Sequence, residues 1–344
     1  MDEQRQCLIE LFQKTGGQSN WIETTNWSNR EPLNRWHGIT VNGQGQVTGI
    51  YLGGNNLVGF LPDSLERLVA LRYLDLSSNK LQGVFPEFIT GLFSLESIDL
   101  SGNMINGPFP HSMSNLSLLN TLRMQRNNIN GPVPVEVLNC RMIRELNLGM
   151  CGLRGKIPKE LSKLSNLTML NLEHNKLTGA IPDVLHLMFK LEVLNLSHNA
   201  LTGEIPASIA TLIKLKVIVL SHNCLTGAIP ERLETLIDLE CLYLDHNQLN
   251  GSLPRRLGYL RKCTRINLSN NSIKGPLVES LCEKDFTIVT EFNLSSNALS
   301  GEIPGRLLVS ILRSRSMGSH CINIDDNPRG FSLKTLNIME VRTS

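Results

Sequence analysis

Asparagine returns every 24 residues along this chain, at Asn55, Asn79, Asn103, Asn127, Asn175, Asn199, Asn223, Asn247 and Asn271, with Cys151 in the one slot left over. Glycine follows four residues later, from Gly59 through Gly275, and proline seven residues later, from Pro62 through Pro254. A further unit, Asn297-Gly301-Pro304, keeps these offsets after a spacing of 26 residues. A chain of 344 residues would ordinarily suggest two or more domains. A unit this short cannot bury its own apolar face, so it must stack on the next copy. The chain is therefore expected to be a coil of turns, each touching only its neighbours.

One turn shows what the spacing builds. Leu74 and Leu76 alternate with Tyr73, Asp75 and Ser77, the period-2 pattern of a short, half-buried strand. Stacked turns place such strands side by side, about 4.8 Å apart, in a parallel sheet. Asn79 leaves the strand with its amide turned inward, where it must find main-chain partners in adjacent turns. The column Asn79, Asn103, Asn127, Cys151, Asn175, Asn199, Asn223, Asn247 and Asn271 is thus expected to form a structural ladder, with the Cys151 thiol as one cheaply buried rung. Gly83 lets the chain bend, Phe85 and Ile89 fill the interior, and Pro86 suits the first turn of a short helical or 3₁₀ segment.

The ends of such a stack must be sealed. Leu8, Leu11 and Phe12 predict an amphipathic helix over residues 2–13, broken at Thr15-Gly16-Gly17, and Trp21, Trp27 and Trp36 supply large rings to cover the first turn. At the far end residues 282–292 carry two extra positions, and residues 308–319 a longer basic insertion. Residues 322–327 read as a last strand and residues 331–341 as its cap. The expected organisation is an N-terminal cap over 1–49, repeats over 50–307, and an atypical last repeat with a C-terminal cap over 308–344.

The motif Asn175-Lys176-Leu177-Thr178-Gly179-Ala180-Ile181-Pro182, recurring from Ile50 to Pro304, resembles the plant-type leucine-rich repeat of receptor-like kinase and receptor-like protein ectodomains. That resemblance implies an α/β repeat fold: a right-handed leucine-rich-repeat solenoid with a parallel concave sheet and short helical or 3₁₀ segments on its convex side. It also implies an extra short strand near each Gly-x-Ile-Pro segment, and ligand or co-receptor binding on the concave and lateral surfaces. The segment Trp36-His37-Gly38-Ile39-Thr40-Val41 resembles that family's cap with Val41 in place of a cysteine. Together with residues 11–27 it is more similar to the cysteine-free caps of microbial and protist repeat proteins.

Composition narrows the partner. The net charge of +2 shows no clustered basic face of the kind nucleic-acid binders carry, and no apolar run approaches the roughly 18 residues of a membrane span. The polar start Met1-Asp2-Glu3-Gln4-Arg5-Gln6 lacks the apolar stretch of a signal peptide, and the eight cysteines show no paired spacing. A cytoplasmic monomer without cofactor is the reading these features favour, with an extracellular ectodomain or receptor fragment as the alternative. The partner expected is a protein or peptide, with no nucleic acid.

Binding specificity must lie in the exposed strand positions that vary. On the concave face Asp75, Asp99, Arg123, Arg126, Arg144, Val219, Tyr243 and Asp245 are the candidate partner contacts. Val217, Val219, Cys241 and Tyr243 would form an apolar patch of the kind that marks interaction sites. The alternative is that these are tolerated surface variants. His174, His198, His222 and His246 line up one turn apart, each before a ladder residue. Four ligands in a line cannot converge on one tetrahedral ion, so at most adjacent pairs would give a weak two-ligand site, and no metal centre is expected. Asp75 and Asp99 could serve as the carboxylate pair of a hydrolase, but an open face offers neither a cleft nor water exclusion. A non-catalytic recognition scaffold is the leading expectation.

Overall fold

A computed structural model describes residues 3–27, 29–284, 288–316, 322–327 and 331–333. It divides into two compact units, Met1–Leu177 and Thr178–Ser344, each built of leucine-rich turns. No helix among the described residues is long and apolar enough to cross a membrane.

The first unit begins with an α-helix, Glu3–Lys14, that buries Cys7, Leu8, Leu11 and Phe12. Gly16 and Gly17, with φ of 97° and 38°, end it where the sequence predicts a break. Trp21 meets Trp27 edge-on at 4.7 Å, Trp27 packs 5.0 Å from Trp36, and Phe12 stacks on Trp27 at 5.8 Å. Each buried indole N–H finds a carbonyl: Trp21 donates to Thr15, Trp27 to His37 and Trp36 to Glu31. Ring packing without orphaned donors is what lets three tryptophans seal one end. A hairpin outside the 24-residue pattern joins this seal to the repeats, with Ile39–Val41 antiparallel to Val47–Tyr51 across a turn that begins Asn42-Gly43.

From Val47–Tyr51 onward, strands pair in parallel, one per turn: Tyr73–Asp75, Ser97–Asp99, Thr121–Arg123, Glu145–Asn147 and Met169–Asn171. The register advances by 24 residues, so Asp75 faces Asp99 and Asp99 faces Arg123. Leu74, Leu76, Leu81, Ile89, Leu92 and Leu95 are buried to 2% exposure or less. Opposite the strands lie 3₁₀ turns at Asp63–Arg67, Glu87–Gly91, His111–Asn115, Val137–Asn139 and Lys159–Lys163. Runs of three to five residues are too short for a stable α-helix, and the tighter 3₁₀ winding suits them. Pro86, at φ −67° and ψ 128°, is extended and stands just before its turn rather than within it, because it caps the segment instead of opening it. The additional short strands near the Gly-x-Ile-Pro segment also occur, as Val58–Gly59, Lys80–Val84 and Met104–Asn106. Gly83 holds φ 93° among them, and a Cβ there would stand 2.9 Å from the Phe60 ring.

The asparagines tie turn to turn. Asn103 donates to Leu76 O and Leu100 O at 3.0 Å each, and its Oδ1 accepts from Leu81 N at 2.9 Å. Asn79 and Asn127 repeat this pattern one turn away on either side. Cys151 donates its thiol to Met124 O at 3.2 Å, which covers the donor half of the rung and not the acceptor half. Asn55 links the first rung to the cap, exchanging hydrogen bonds with the Glu23 main chain.

The second unit continues the pattern with Val193–Asn195, Val217–Val219, Cys241–Tyr243, Arg265–Asn267, Glu291–Asn293 and Ile322–Asn323. Asn223 and Asn247 each bond both their own turn and the one before, and Asn271 bonds Leu249 N and Leu244 O. Where the sequence reads a loose basic insertion at 308–319, the chain forms an α-helix, Gly305–Ser316, that buries Leu307, Leu308 and Ile311. Those apolar positions fall on one helical face, a spacing unrelated to the 24-residue pattern. Asn327 supplies a further rung, accepting from Leu299 N at 2.8 Å, and Phe331–Leu333 pairs with Gly301–Ile303. The expected strand over 322–327 is confined to Ile322–Asn323; of the stretch 282–292 expected to carry two extra positions, residues 285–287 lie outside the described residues, and so does the cap beyond 333.

Candidate functional site

In the first unit the exposed face of the parallel strands carries, in register, Tyr51, Asp75, Asp99, Arg123 and Asn147. Tyr51 stacks on Tyr73 at 6.4 Å. Asp75 and Asp99 each turn one oxygen back to the chain, Asp75 accepting from Ser77 N and Asp99 from Ser101 N, both at 3.0 Å. These are turn-closing contacts that hold the strand exits. The Arg123 guanidinium clamps Glu145 in the next turn with two hydrogen bonds, at 2.6 and 2.8 Å, and lies 3.6 Å from Asp99. Its pKa is held above the ordinary arginine range, chiefly by the hydrogen bond to Glu145. Arg123 is therefore a cross-turn tie within an acid–base–acid row.

Arg126 differs. It leaves the strand in the left-handed region at φ 59°, with its main-chain N–H on Gly149 O, and its side chain is exposed. Among the described residues its guanidinium has no carboxylate partner. It borders an open groove with Ser78, Ser101, Gly102, Gln125, Asn147 and the carboxylate-bearing Glu173, and the Oε1 of Gln125 is enclosed without a hydrogen-bond partner. Arg144 is likewise exposed, on the strand edge one turn on.

In the second unit Val219 and Tyr243 are adjacent in register and half-buried. Tyr243 donates to Glu291 Oε2 at 2.7 Å, reaching two turns ahead past Arg265. Burial first, and then the Glu291 carboxylate, push its phenol well above the usual range. Two sequence expectations need correction. Cys241 is only 2% exposed, because its short side chain lies beneath Val217 and Arg265 on the flanking strands, so the apolar patch reduces to Val217, Val219 and the Tyr243 ring. Asp245 is 8% exposed and is not an open contact residue: its Oδ1 accepts from Ser221 Oγ at 2.5 Å.

The other Asp245 oxygen points at the histidine column. His198, His222 and His246 all sit at positive φ, between 53° and 55°, where each turn leaves its strand. The His222 ring stacks on His198 at 4.2 Å and 13°, and lies 4.2 Å from His246 at 42°. His174, in the first unit, has the same backbone form at φ 50°. Asp245 Oδ2 lies 3.6 Å from His246 Nδ1 and 3.8 Å from His222 Nε2. The sequence reading separates these residues, assigning Asp245 to the strand face and the histidines to a line of their own. The signal that joins them is Asp245 in a slot filled by Ser197, Ser221 and Ser269 in neighbouring turns.

Comparisons with known proteins agree with this architecture. A family profile for a leucine-rich repeat region matches residues 55–297, more than half of the chain. Among solved structures the chain is 33% identical to the plant peptide hormone receptor RGFR1 in complex with RGF2, over 83% of this chain and 43% of that one, with a TM-score of 0.72. It is 27% identical to the Arabidopsis receptor kinase HAESA in complex with the peptide hormone IDA and the co-receptor SERK1, over 97% of this chain and 54% of that one, with a TM-score of 0.84. A plant ice-binding protein is 27% identical over 88% of this chain and 89% of its own, with a TM-score of 0.65. The chain thus spans about half the length of the receptor chains it matches. A comparison with curated proteins finds no significant match. Its parallel strands, its 3₁₀ turns and its recurring asparagine rungs place the chain in the leucine-rich-repeat family, with repeats of the plant type found in receptor-kinase ectodomains.

Proposed function

We propose that this chain is a non-catalytic recognition scaffold that binds a protein or peptide through the exposed face of its parallel strands. The observation that carries the reading is Arg126, an exposed guanidinium without a carboxylate partner among the described residues, beside the unpartnered Gln125 Oε1. An exposed cation bordering a groove suits a partner that brings a carboxylate, since charge-assisted bonds are the stronger kind. Arg144 adds a second exposed cation on the edge nearby, and Val219 with Tyr243 offers an apolar contact in the second unit. The receptor structures with bound peptide hormones support the same class of partner. Asp75 and Asp99, the pair a hydrolase would need, each spend an oxygen on closing a turn, which fits a structural use better than proton transfer. An extracellular ectodomain reading differs from this one in location rather than in chemistry.

Affinity capture from the native cell with wild-type and Arg126→Glu baits tests the proposal. The wild type should retain a partner that the variant loses, and equal recovery of the same partner by both would remove this face from the account.

A further inference from the structure

We propose that His222, Asp245 and His246 form a binding site for a divalent transition-metal ion of the zinc class. The proposal is independent of the recognition reading, since it uses different residues. Among the described residues these three form the one cluster of three or more His, Cys, Asp or Glu side chains whose ligand atoms lie close enough for an ion, all within 4.8 Å of one another.

The distances suit a small ion. Zinc–nitrogen and zinc–oxygen bonds of about 2.0–2.2 Å in a tetrahedron require ligand atoms roughly 3.3–3.6 Å apart. Asp245 Oδ2 stands 3.6 Å from one imidazole nitrogen and 3.8 Å from the other. The remaining closure is a rotation of two side chains that are 41% and 45% exposed and so have room to turn. Two imidazoles with one carboxylate form a donor set that zinc and its neighbours prefer over calcium or magnesium, which favour oxygen ligands alone.

The surroundings hold the set in place. Ser221 Oγ donates to Asp245 Oδ1, which fixes the carboxylate with Oδ2 toward the histidines, the orienting role that outer groups commonly play at metal sites. The His222 main-chain N–H donates to Asp245 O at 3.0 Å, so the two turns are locked at the level of the site. The left-handed backbone at both histidines turns the rings out of the strand plane and over one another. Neighbouring turns carry Ser197, Ser221 and Ser269 in the Asp245 slot, so within the second unit the histidine strip gains a carboxylate at this level alone. Three protein ligands leave the fourth position of a tetrahedral ion facing solvent, free for water or for a group carried by a partner.

Calorimetric titration of the purified full chain with zinc chloride tests the site, with circular dichroism spectra confirming that each variant is folded. One zinc per chain is expected for the wild type. His246→Ala, His222→Ala and Asp245→Asn should each weaken binding at least ~10-fold, as loss of one of three ligands does. Ser221→Ala should weaken it by about 10-fold through the carboxylate it orients. Absence of saturable binding up to ~1 mM zinc, where association is already weak, would overturn the proposal. So would binding that persists unchanged in folded His246→Ala and His222→Ala, since the ion would then lie elsewhere, for instance on a cysteine.

Discussion

Replacing Asn103 by leucine should destabilise the protein by about 1–3 kcal/mol, and the structure says why the cost stops there. The Asn103 side chain serves four buried main-chain groups: Leu81 N, Leu76 O, Leu100 O and Ser101 O. The three carbonyls are shared. Leu76 O also accepts from Asn79, Leu100 O from Asn127 and Ser101 O from Ser78 N, so each keeps one partner when Asn103 is lost. Leu81 N depends on Asn103 Oδ1, and an orphaned buried N–H carries the penalty of one unsatisfied donor. Counting all four broken bonds at full weight would give roughly four times as much. Asn103→Cys should fall below the leucine variant, because the thiol can donate to Leu76 O as Cys151 does to Met124 O. Urea denaturation read by circular dichroism measures this, through a lowered midpoint at unchanged slope. A leucine variant with the wild-type midpoint would refute the ladder as a source of stability. A cysteine variant as costly as the leucine one would refute the division into donor and acceptor halves.

Two further outcomes follow from the same geometry. Burial pushes the Cys140 thiol up to about 11 and the Cys151 and Cys263 thiols up to about 12, so at pH 8 all three should resist alkylation in the native state and react after half-buried Cys224. Peptide mapping after brief iodoacetamide treatment, with a urea-unfolded control in which all four react, checks the order. Arg123→Gln breaks the Glu145 clamp without adding a like charge beside Asp99, and for a half-exposed pair this should cost under ~1 kcal/mol in a urea melt.

The fold was legible because its main constraint is periodic. A buried amide that must reach both its own turn and the previous one recurs at the length of the turn, so the position of Asn103 alone fixes that of Asn127. The site was only partly legible, because its contacts run between columns. The tie of Arg123 to Glu145 spans 22 residues and that of Tyr243 to Glu291 spans 48, distances set by side-chain reach rather than by the repeat. Strand alternation put Cys241 on the open face, yet a short side chain between Val217 and Arg265 ends up covered. Asp245 reads as one more surface carboxylate until Ser221 is seen to hold it beneath two imidazoles. The N-terminal hairpin and the C-terminal helix escaped for a related reason, since neither follows the 24-residue pattern that organises everything between them.

A contact map tests most directly whether a partner lies on the exposed strand face of the first unit. A photo-activated cross-linking residue would be placed at Arg126 or Arg144 on that face, or at exposed Lys163 in the 3₁₀ turn of the opposite side, and irradiated in the native cell. One shared adduct is expected from Arg126 and Arg144, and none of that mass from Lys163. An adduct formed from Lys163 and absent from Arg126 and Arg144 would contradict binding through the strand face.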